Sequence, residues 1–455
     1  MKAHRILALS LWSIAAASVA VAACGDDGPR SDIPRADRWT GTVDTAADGR
    51  VTVTNSEGGA WTRDTVRARR TLLLGEAGIS GGSEATTFGD VTGLAVDDRG
   101  RIYVGDRASS TVRAFGPDGK HLRLIGGKGQ GPGEFRLPVS LAVGPEGRLH
   151  VADADGLTTM EPDSSAGLPT RQVGSLQPSV FPQVFSRLRV DCRGTVYFPH
   201  KTGREKRHLY VLADFASGIR DTLHVPDFPG LPDGTVSIRT SPKGGRMVFG
   251  LDRPPLAPVP SWDVTEDGDL VAGEADRYRL AVISRGGDTT RVVGRSMTRR
   301  RIPERVRRDS ARALRARLDS LPVPPSEVSK LSEDVADVRL PGRYPAYLGV
   351  HRGRGGRTWV QRPHLPDLGD ATPYDVFDRA GIHLGTVVVP GRFDRGRGSV
   401  TSRMRARPVF TEDAVYGVVK DSTTGVQRIA RFSYKLPERE EDAPPAPPEP
   451  CSADR

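Results

Sequence analysis

Three segments of the chain repeat one another at a spacing of 47 residues, and this period limits the folds that the chain can adopt. Residues 88–106 read FGDVTGLAVDDRGRIYVGD, and residues 135–153, 47 positions later, read FRLPVSLAVGPEGRLHVAD. VDCRGTVY at 190–197 lies twice that distance beyond VDDRGRIY at 96–103. Such a period indicates stacked supersecondary units, each of which buries its apolar face against its neighbours.

Each unit has the pattern of a strand, a tight turn and a second strand. The turns DDRG, GPEG, DCRG, TEDG and GRGG each end in glycine, the residue that tolerates the positive φ of a hairpin turn. Apolar second strands follow, as in IYV, LHV, VYF, LVA and TWV, and a third strand and another glycine turn come after them. Four antiparallel strands per unit are typical of a propeller blade.

The repeated region has room for six such units. It runs from 71 to 435, with an arginine-rich insert at 295–339 and a Pro/Gly-rich excursion at 226–258 set aside. The last unit, 409–434, supplies only three strands, whereas 71–74 has the form of an outer strand without a unit of its own. We therefore expect the first segment to complete the last blade, which would close the ring and remove free sheet edges.

The chain resembles NHL-repeat six-bladed β-propellers, and as a whole it resembles bacterial propeller lipoproteins of unassigned function. The resemblance rests on GLAVDDRGRIYVGD, TVRAFGPDGK and the loop GKGQGPGEF at 127–135. It implies an all-β fold, a six-bladed β-propeller with one inserted arginine-rich helical segment. The chain departs from the family where an asparagine often follows the second strand, because it has Ser109 and Ser110 there and only one asparagine, Asn55.

The amino terminus has the features of an export signal. Basic residues precede an apolar run at 6–23, which ends in the sequence Val21-Ala22-Ala23-Cys24-Gly25. Small residues before this cysteine resemble the lipobox of bacterial lipoproteins, which implies a lipid anchor on Cys24 and a place in the cell envelope. Gly25 is compatible with the outer membrane of a diderm cell. The alternative is a plain membrane anchor, because the run could just span a bilayer.

These features divide the chain into four parts: a signal peptide at 1–23, a tether at 24–45, the propeller at 46–436 and a disordered Pro/Glu-rich tail at 437–455. Cys192 and Cys451 remain after lipidation. A disulfide between them is compatible with export, but the position of Cys451 in the tail argues against it.

The formal net charge of +10 is concentrated in one segment of the chain, because ten arginines fall between Arg295 and Arg317. The chain has no nucleic-acid-binding signature, so we expect no nucleic-acid partner. The insert has helical spacing, with one apolar face formed by Ile302, Val306, Ala313, Leu314, Leu318 and Leu321. Its arginines would form either a solvated face or a basic surface that meets acidic headgroups.

Equivalent positions in five units follow the second strand, six residues after each turn glycine. They hold Asp106, Asp153, His200, Glu274 and Arg362, and His364 lies nearby. On one face of a propeller, these side chains could orient a polar ligand or hold a divalent cation. The alternative is structural, because an aspartate after a strand accepts backbone N–H bonds in its own turn.

Two glycine-rich motifs do not support catalysis. The loop at 127–135 lacks both Walker A spacing and the dinucleotide fingerprint, so we interpret it as a connection between blades. Residues 78–82 match G-x-S-x-G, but no helical pattern follows them.

The sequence therefore favours a non-enzymatic binding or scaffold module, anchored to the membrane through Cys24. Its loop face would recognise a protein, peptide or glycan, and we expect a monomer without a cofactor. The alternative is a metal-dependent propeller enzyme of the lactonase or lyase type with a site at the central channel. Whether a metal is bound stays open, because the fold hosts both kinds of protein.

Overall fold

The computed structural model describes 39–75, 87–153, 156–163, 167–176, 188–201, 208–214, 218–226, 236–240, 247–251, 256–258, 260–319, 340–394, 406–421, 423–445 and 447–448. Within these ranges, the side chains of 175–176, 199–201, 208–214, 218–220, 236–240, 247–251, 314, 317–319 and 366 are outside the description. The signal segment, Cys24, the G-x-S-x-G motif and Cys451 lie outside the described residues.

Six antiparallel sheets follow one another along the chain as blades. The first three are β5 (Val91–Val96), β6 (Ile102–Asp106), β7 (Thr111–Phe115) and β8 (His121–Ile125); β9 (Ser140–Val143), β10 (Leu149–Asp153), β11 (Gly156–Pro162) and β12 (Pro169–Leu176); and β13 (Arg189–Val190), β14 (Val196–Lys201), β15 (His208–Asp214) and β16 (Gly218–His224).

The last three blades have the same strand order. They are β19 (Pro260–Val264), β20 (Leu270–Glu274), β21 (Arg279–Ile283) and β22 (Thr289–Arg295); β23 (Gly349–Arg352), β24 (Thr358–Gln361), β25 (Thr372–Phe377) and β26 (His383–Val389); and β27 (Val409–Phe410), β28 (Ala414–Lys420) and β29 (Gln427–Ser433), completed by β4 (Arg69–Leu74). The predicted six-bladed propeller is thus confirmed.

The amino-terminal strand β4 closes the ring, as the sequence predicted. It pairs antiparallel with β29, and Leu74 lies opposite Ile429. Leu74 is buried in a core cluster that joins the last blade to the first, together with Leu94, Phe115 and Tyr416. The core therefore lies between neighbouring blades, and closure covers the apolar faces of the first and last blades.

Three further strands widen two of the blades. β1 (Thr42–Thr45) pairs with β2 (Val51–Asn55), which pairs in parallel with β22, and β3 (Thr65–Arg67) pairs in parallel with β26. The range assigned to a tether therefore includes a strand. The Pro/Gly-rich segment 226–258, which was left out of the count of blades, contains the hairpin of β17 (Val236–Thr240) and β18 (Met247–Leu251).

The start of the carboxy-terminal segment is attached to the propeller, in contrast to the disordered tail expected from its composition. Thr62 N–H donates to Glu438 O at 3.0 Å, and Glu440 N–H donates to Ala60 O at 2.8 Å. Main-chain hydrogen bonds hold this segment irrespective of its side chains, which is why composition did not reveal the attachment.

The arginine-rich insert contains a helix, α1 (Glu304–Asp319). Ile302 and Val306 pack against Tyr344 and Leu365. Ala313 is exposed, so the predicted apolar face is wrong at this position. Leu314, Leu318 and Leu321 lie outside the described side chains. Among the described residues, no helix is both long and apolar enough to cross a membrane.

Candidate functional site: an axial cavity

A cavity of about 640 Å³ lies where all six blades meet. Its lining comes from the first strand of each blade, or from the turn that follows it. We call it the axial cavity and define it by Leu94–Asp98, Leu141–Pro145, Leu188–Arg193, Glu266, Arg352–Gly355 and Pro408–Glu412, with gaps at Asp97, Gly353 and Thr411. First strands surround the axis of a propeller, so this cavity is one mouth of the central channel.

The axial cavity opens on the face opposite to the predicted rim. Its lining residues lie at the ends of the first strands, as Val96 ends β5 and Arg352 ends β23. The predicted rim residues lie at the ends of the second strands, which run in the reverse direction. Antiparallel neighbours end at opposite edges of a sheet, so the two sets belong to opposite faces.

Apolar side chains form about half of the wall of the axial cavity. Leu94, Leu141, Val190 and Phe410 face it from four different blades. Phe410 stacks on Trp359, with ring centroids 4.7 Å apart and planes inclined by 21°. Such an aromatic pair adds to the stability of this part of the wall beyond the area that it buries.

Two arginines of the cavity are neutralised by carboxylates. Arg189 donates to Asp263 in a bidentate pair, with Nε to Oδ1 at 2.7 Å and Nη2 to Oδ2 at 2.9 Å. Arg354 lies 3.1 Å from Asp98, and its Nη2 donates to Val96 O at 2.6 Å, which connects the fifth blade with the first. Both guanidinium groups are thus held in fixed positions by partners from other blades.

Arg352 is a further arginine that lines the cavity. Its Nη1 donates to Val190 O at 2.5 Å, and its backbone N–H donates to Asp263 Oδ2 at 3.0 Å. Within the described part of the chain, its guanidinium forms no salt bridge. Burial lowers the pKa of Arg352, and Arg189 and Arg354 lower it further, whereas Glu266 and Asp263 raise it. The positive charge at this point is therefore incompletely compensated, and an anion bound there would stabilise it.

Glu266 also lines the cavity and offsets part of this charge, because it raises the pKa of Arg352. Its Oε2 accepts the backbone N–H of Gly356 at 2.8 Å, which holds the carboxylate at the turn between β23 and β24. Asp191 is likewise engaged, because Tyr197 Oη donates to it at 2.9 Å and Arg285 pairs with it. Glu266 and Asp191 thus also hold a turn or a neighbouring side chain in place.

Two of the predicted rim residues are built into the fold. Asp106 accepts the backbone N–H groups of Gly89 and Asp90 at 3.0 and 2.9 Å. Asp153 accepts those of Arg136 and Leu137 at 2.7 and 2.6 Å. Each aspartate thus ties the end of a second strand to the loop that enters the same blade, as the structural alternative expected.

The other rim residues are spread over three blades. His200 lies within β14, opposite Leu209, and its side chain is outside the description. Glu274 ends β20 and is partly exposed. Arg362 follows β24, with Nη1 3.9 Å from the buried Asp375, and His364 Nδ1 lies 3.3 Å from Ala371 O. A binding role for these residues stays a prediction.

Asp375 belongs to a buried ionic cluster between the fourth and fifth blades. It accepts from Tyr278 Oη at 2.7 Å and from Arg295 Nη1 at 2.6 Å. Burial alone would raise the pKa of Asp375, but the charges of Arg295, Arg362 and His383 hold it well below its usual range. The carboxylate therefore stays ionised and joins the two blades.

Metal binding gains no support from the described side chains. Among them, no group of three histidines, cysteines, aspartates or glutamates converges in a way that could hold a metal ion. The single asparagine, Asn55, is buried, and its amide donates to Gly294 O at 3.0 Å and Gly381 O at 2.9 Å. Asn55 thus connects the fourth and fifth blades, away from the channel.

Sequence reasoning missed the cavity arginines, although one signal was present. The residue five positions before the turn glycine is Ala95 in the first blade and Ala142 in the second, but Arg189 in the third and Asp263 in the fourth. Charged residues where other units have alanine indicate a special role for these strands. That they pair, and that Arg352 joins them from a third blade, became visible only in the fold.

The comparisons with known proteins agree with the observed architecture. A family described as a 6-bladed beta-propeller, DUF5128, matches residues 83–158. This range covers the first blade and the start of the second, in which the repeat is clearest. No curated protein matches the sequence significantly.

Solved structures with a similar fold have little sequence in common with this chain. A catalytically inactive virginiamycin B lyase from Staphylococcus aureus, crystallised with quinupristin, is 11% identical, with 80% of this chain and 98% of that chain covered and a TM-score of 0.36. A candidate exported protein from Bacteroides fragilis is 11% identical (82% and 99% covered, TM-score 0.43). The calcium-binding protein regucalcin from Agrobacterium tumefaciens is 12% identical (83% and 98%, TM-score 0.36).

Proposed function

We propose that this protein is a non-enzymatic binding module that takes an amphipathic anion, such as a carboxylate with an apolar body, into the axial cavity. The proposal rests on the incompletely compensated charge of Arg352. It lines the cavity and forms no salt bridge within the described residues, whereas Arg189 and Arg354 beside it are paired. A carboxylate would supply the missing counter-charge and accept hydrogen bonds from the guanidinium.

The size and surface of the axial cavity suit such a ligand. Its volume of about 640 Å³ falls within the usual range of about 300–1,000 Å³ for small-molecule sites. Apolar side chains such as Leu94, Leu141 and Phe410 would contact the body of the ligand and remove its surface from water. A positive charge beside these apolar side chains favours molecules that combine an anionic group with an apolar body.

The cellular setting of the proposal comes from the amino terminus. The lipobox-like sequence before Cys24 supports export and a lipid anchor, so the propeller would act at the cell envelope as a monomer. The ligand would reach it from the extracytoplasmic space or the membrane surface. The proposal keeps the binding role that the sequence favoured, but it uses the opposite face of the propeller and a smaller ligand than a protein or glycan.

Calorimetric titration with octanoate and phenylacetate tests the proposal, with 1-octanol as a neutral probe. We expect both carboxylates to bind the full-length protein and octanol to bind at least tenfold more weakly. Arg352→Gln should weaken carboxylate binding at least tenfold, because it removes the charge while an amide donor remains for Val190 O. The matched control is Arg392→Gln, which removes the same charge from a half-exposed residue outside the cavity.

Thermal unfolding of the Arg352→Gln variant accompanies the titration, so that lost binding is not confused with lost folding. The proposal is wrong if neither carboxylate binds the wild-type protein. It is also wrong if a folded Arg352→Gln variant binds octanoate as tightly as the wild type does.

A further inference from the structure

The turn that follows the first strand of the third blade contains a disulfide-bonded cysteine. Cys192 is in a disulfide and lines the axial cavity. Its backbone N–H donates to Glu266 O at 3.0 Å, which fixes it beside the equivalent turn of the fourth blade. The sequence has only two other cysteines, Cys24 and Cys451, and both lie outside the described residues.

We propose that Cys192 pairs with Cys451, so that the carboxy-terminal segment is covalently fixed at the mouth of the axial cavity. In the proposed lipoprotein, the sulfur of Cys24 carries a diacylglycerol thioether and cannot enter a disulfide. Cys451 is then the remaining intramolecular partner. The sequence alone argued against this pair, because Cys451 follows a proline-rich segment that has no evident attachment.

The described part of the carboxy-terminal segment runs towards Cys192. It begins at the fifth blade, where Glu440 N–H donates to Ala60 O at 2.8 Å and Arg439 Nη1 lies 2.8 Å from Asp378 Oδ2. Asp378 lies in the turn between β25 and β26, where its carbonyl accepts the N–H of Gly381. In a blade, this turn and the turn after the first strand open on the same face. The segment therefore reaches the face on which the axial cavity opens.

A short series of contacts connects the end of this segment with the turn that holds Cys192. Pro448 O accepts from Arg379 Nη1 at 3.4 Å, and Arg379 Nε lies 2.8 Å from Asp267 Oδ2. Asp267 O in turn accepts from Arg193 Nη1 at 3.4 Å. Cys451 is three residues beyond Pro448, and three residues can span about 10 Å. The thiol of Cys451 can therefore reach the neighbourhood of Cys192.

The bond forms by oxidation of two thiols. The sulfurs of Cys192 and Cys451 join, and two protons and two electrons leave. A disulfide-bearing thiol oxidoreductase of the exported compartment takes up the electrons, because its own disulfide is reduced to two thiols by exchange. Once formed, the bond joins Cys451 covalently to the turn that holds Cys192, a residue that lines the axial cavity. The pairing does not depend on the ligand proposed above.

Peptide mapping of the full-length protein, exported with its own signal and digested with trypsin without reduction, tests the pair. Trypsin releases Cys192 in the peptide 190–193, VDCR, and Cys451 in 440–455, EEDAPPAPPEPCSADR. Free thiols are blocked with iodoacetamide before unfolding. We expect the two peptides to appear as one species with their summed mass less two hydrogens, and to separate after reduction.

Two variants test which cysteine is bonded to Cys192. Cys24→Ser should leave the linked species unchanged, and Cys451→Ser should convert 190–193 to its alkylated form. Linkage of 190–193 to the peptide that contains Cys24, or an alkylated 190–193 in the wild type, would overturn the proposal. Because the mapping uses no ligand, its failure is distinct from failure of octanoate to bind.

Discussion

Tyr103 donates its hydroxyl hydrogen to Asp97 Oδ2 at 3.1 Å, across the turn between the first two strands of the first blade. Asp97 Oδ1 also accepts the backbone N–H groups of Arg99 and Arg101 at 3.0 and 2.9 Å. The third blade repeats this arrangement, as Tyr197 donates to Asp191 at 2.9 Å. One aspartate thus organises a turn and holds the tyrosine of the next strand, which explains why VDDRGRIY and VDCRGTVY resemble each other.

Tyr103→Phe should lower the free energy of unfolding by about 1–2 kcal/mol, because it removes one hydrogen bond from a buried carboxylate. Urea denaturation measures the loss. Tyr344→Phe is the matched control, since the Tyr344 side chain is also buried but its hydroxyl has no hydrogen bond within the described residues. We expect a change below about 0.5 kcal/mol there. Equal losses in the two variants would contradict the role given to Asp97.

Leu74→Ala tests ring closure by the amino-terminal strand. Leu74 is buried and packs between the last and first blades, so its truncation should cost about 2–4 kcal/mol in the free energy of unfolding. The control is Leu124→Ala in β8, the outer strand of the first blade, because 52% of Leu124 is exposed. Chemical denaturation of both variants measures the difference, and a cost below about 1 kcal/mol, the level of a surface substitution, would contradict closure.

His150 predicts a pH dependence of stability. Burial lowers its pKa to about 3, with a further contribution from Arg148, whereas an exposed histidine has a pKa of 6.5. As the pH falls below 6.5, the unfolded chain binds the proton first, so stability is lost between pH 6.5 and about 3. Between pH 7 and 5, this histidine should account for about 2 kcal/mol of the loss.

His150→Gln separates this contribution from those of other groups. Glutamine stays neutral at both pH values and can still bond to Thr159 Oγ1, which lies 2.8 Å from His150 Nδ1. Urea unfolding at pH 7 and pH 5 should show a smaller pH-dependent loss in the variant than in the wild type. Identical losses would show that the neutral form of His150 is not favoured in the folded protein.

Asn55→Ala should be strongly destabilising, although Asn55 lies outside the repeats. Its Oδ1 accepts from Trp39 Nε1 at 2.8 Å and from His383 N–H at 2.7 Å, and its amide donates to two backbone carbonyls. Loss of these partners should cost about 2–4 kcal/mol in the free energy of unfolding. Ser56→Ala, which removes one exposed acceptor of Thr40 N–H, should cost under about 0.5 kcal/mol in the same assay.

Much of the ring could be predicted from local patterns. The turn glycines have the expected positive φ, as Gly100 at 74° and Gly194 at 81° show, and the strands on either side of them were found from their apolar residues. The outer strand of the last blade followed from counting, because six units of four strands require one more strand than the last unit supplies. These features depend on residues close together in sequence or on the repeat itself.

The candidate site was less accessible to sequence reasoning. The repeat directed attention to the ends of the second strands, where Asp106 and Asp153 hold their own blades together. Arg352, Asp263 and Arg189 come from three different blades and have no common motif. Their proximity follows from closure of the ring, which brings first strands together around one axis irrespective of their separation in sequence.

The period, the strand pattern and the closure of the ring could be predicted without the fold, because turns and alternating strands are encoded within each unit. The fold was needed to locate the axial cavity, to show which acids are engaged in turns, and to show that Arg352 forms no salt bridge among the described residues. The reason is physical, because charge compensation depends on the distances between side chains from different blades. Arg352 and Arg354 are near neighbours in sequence, yet Asp98 neutralises only Arg354.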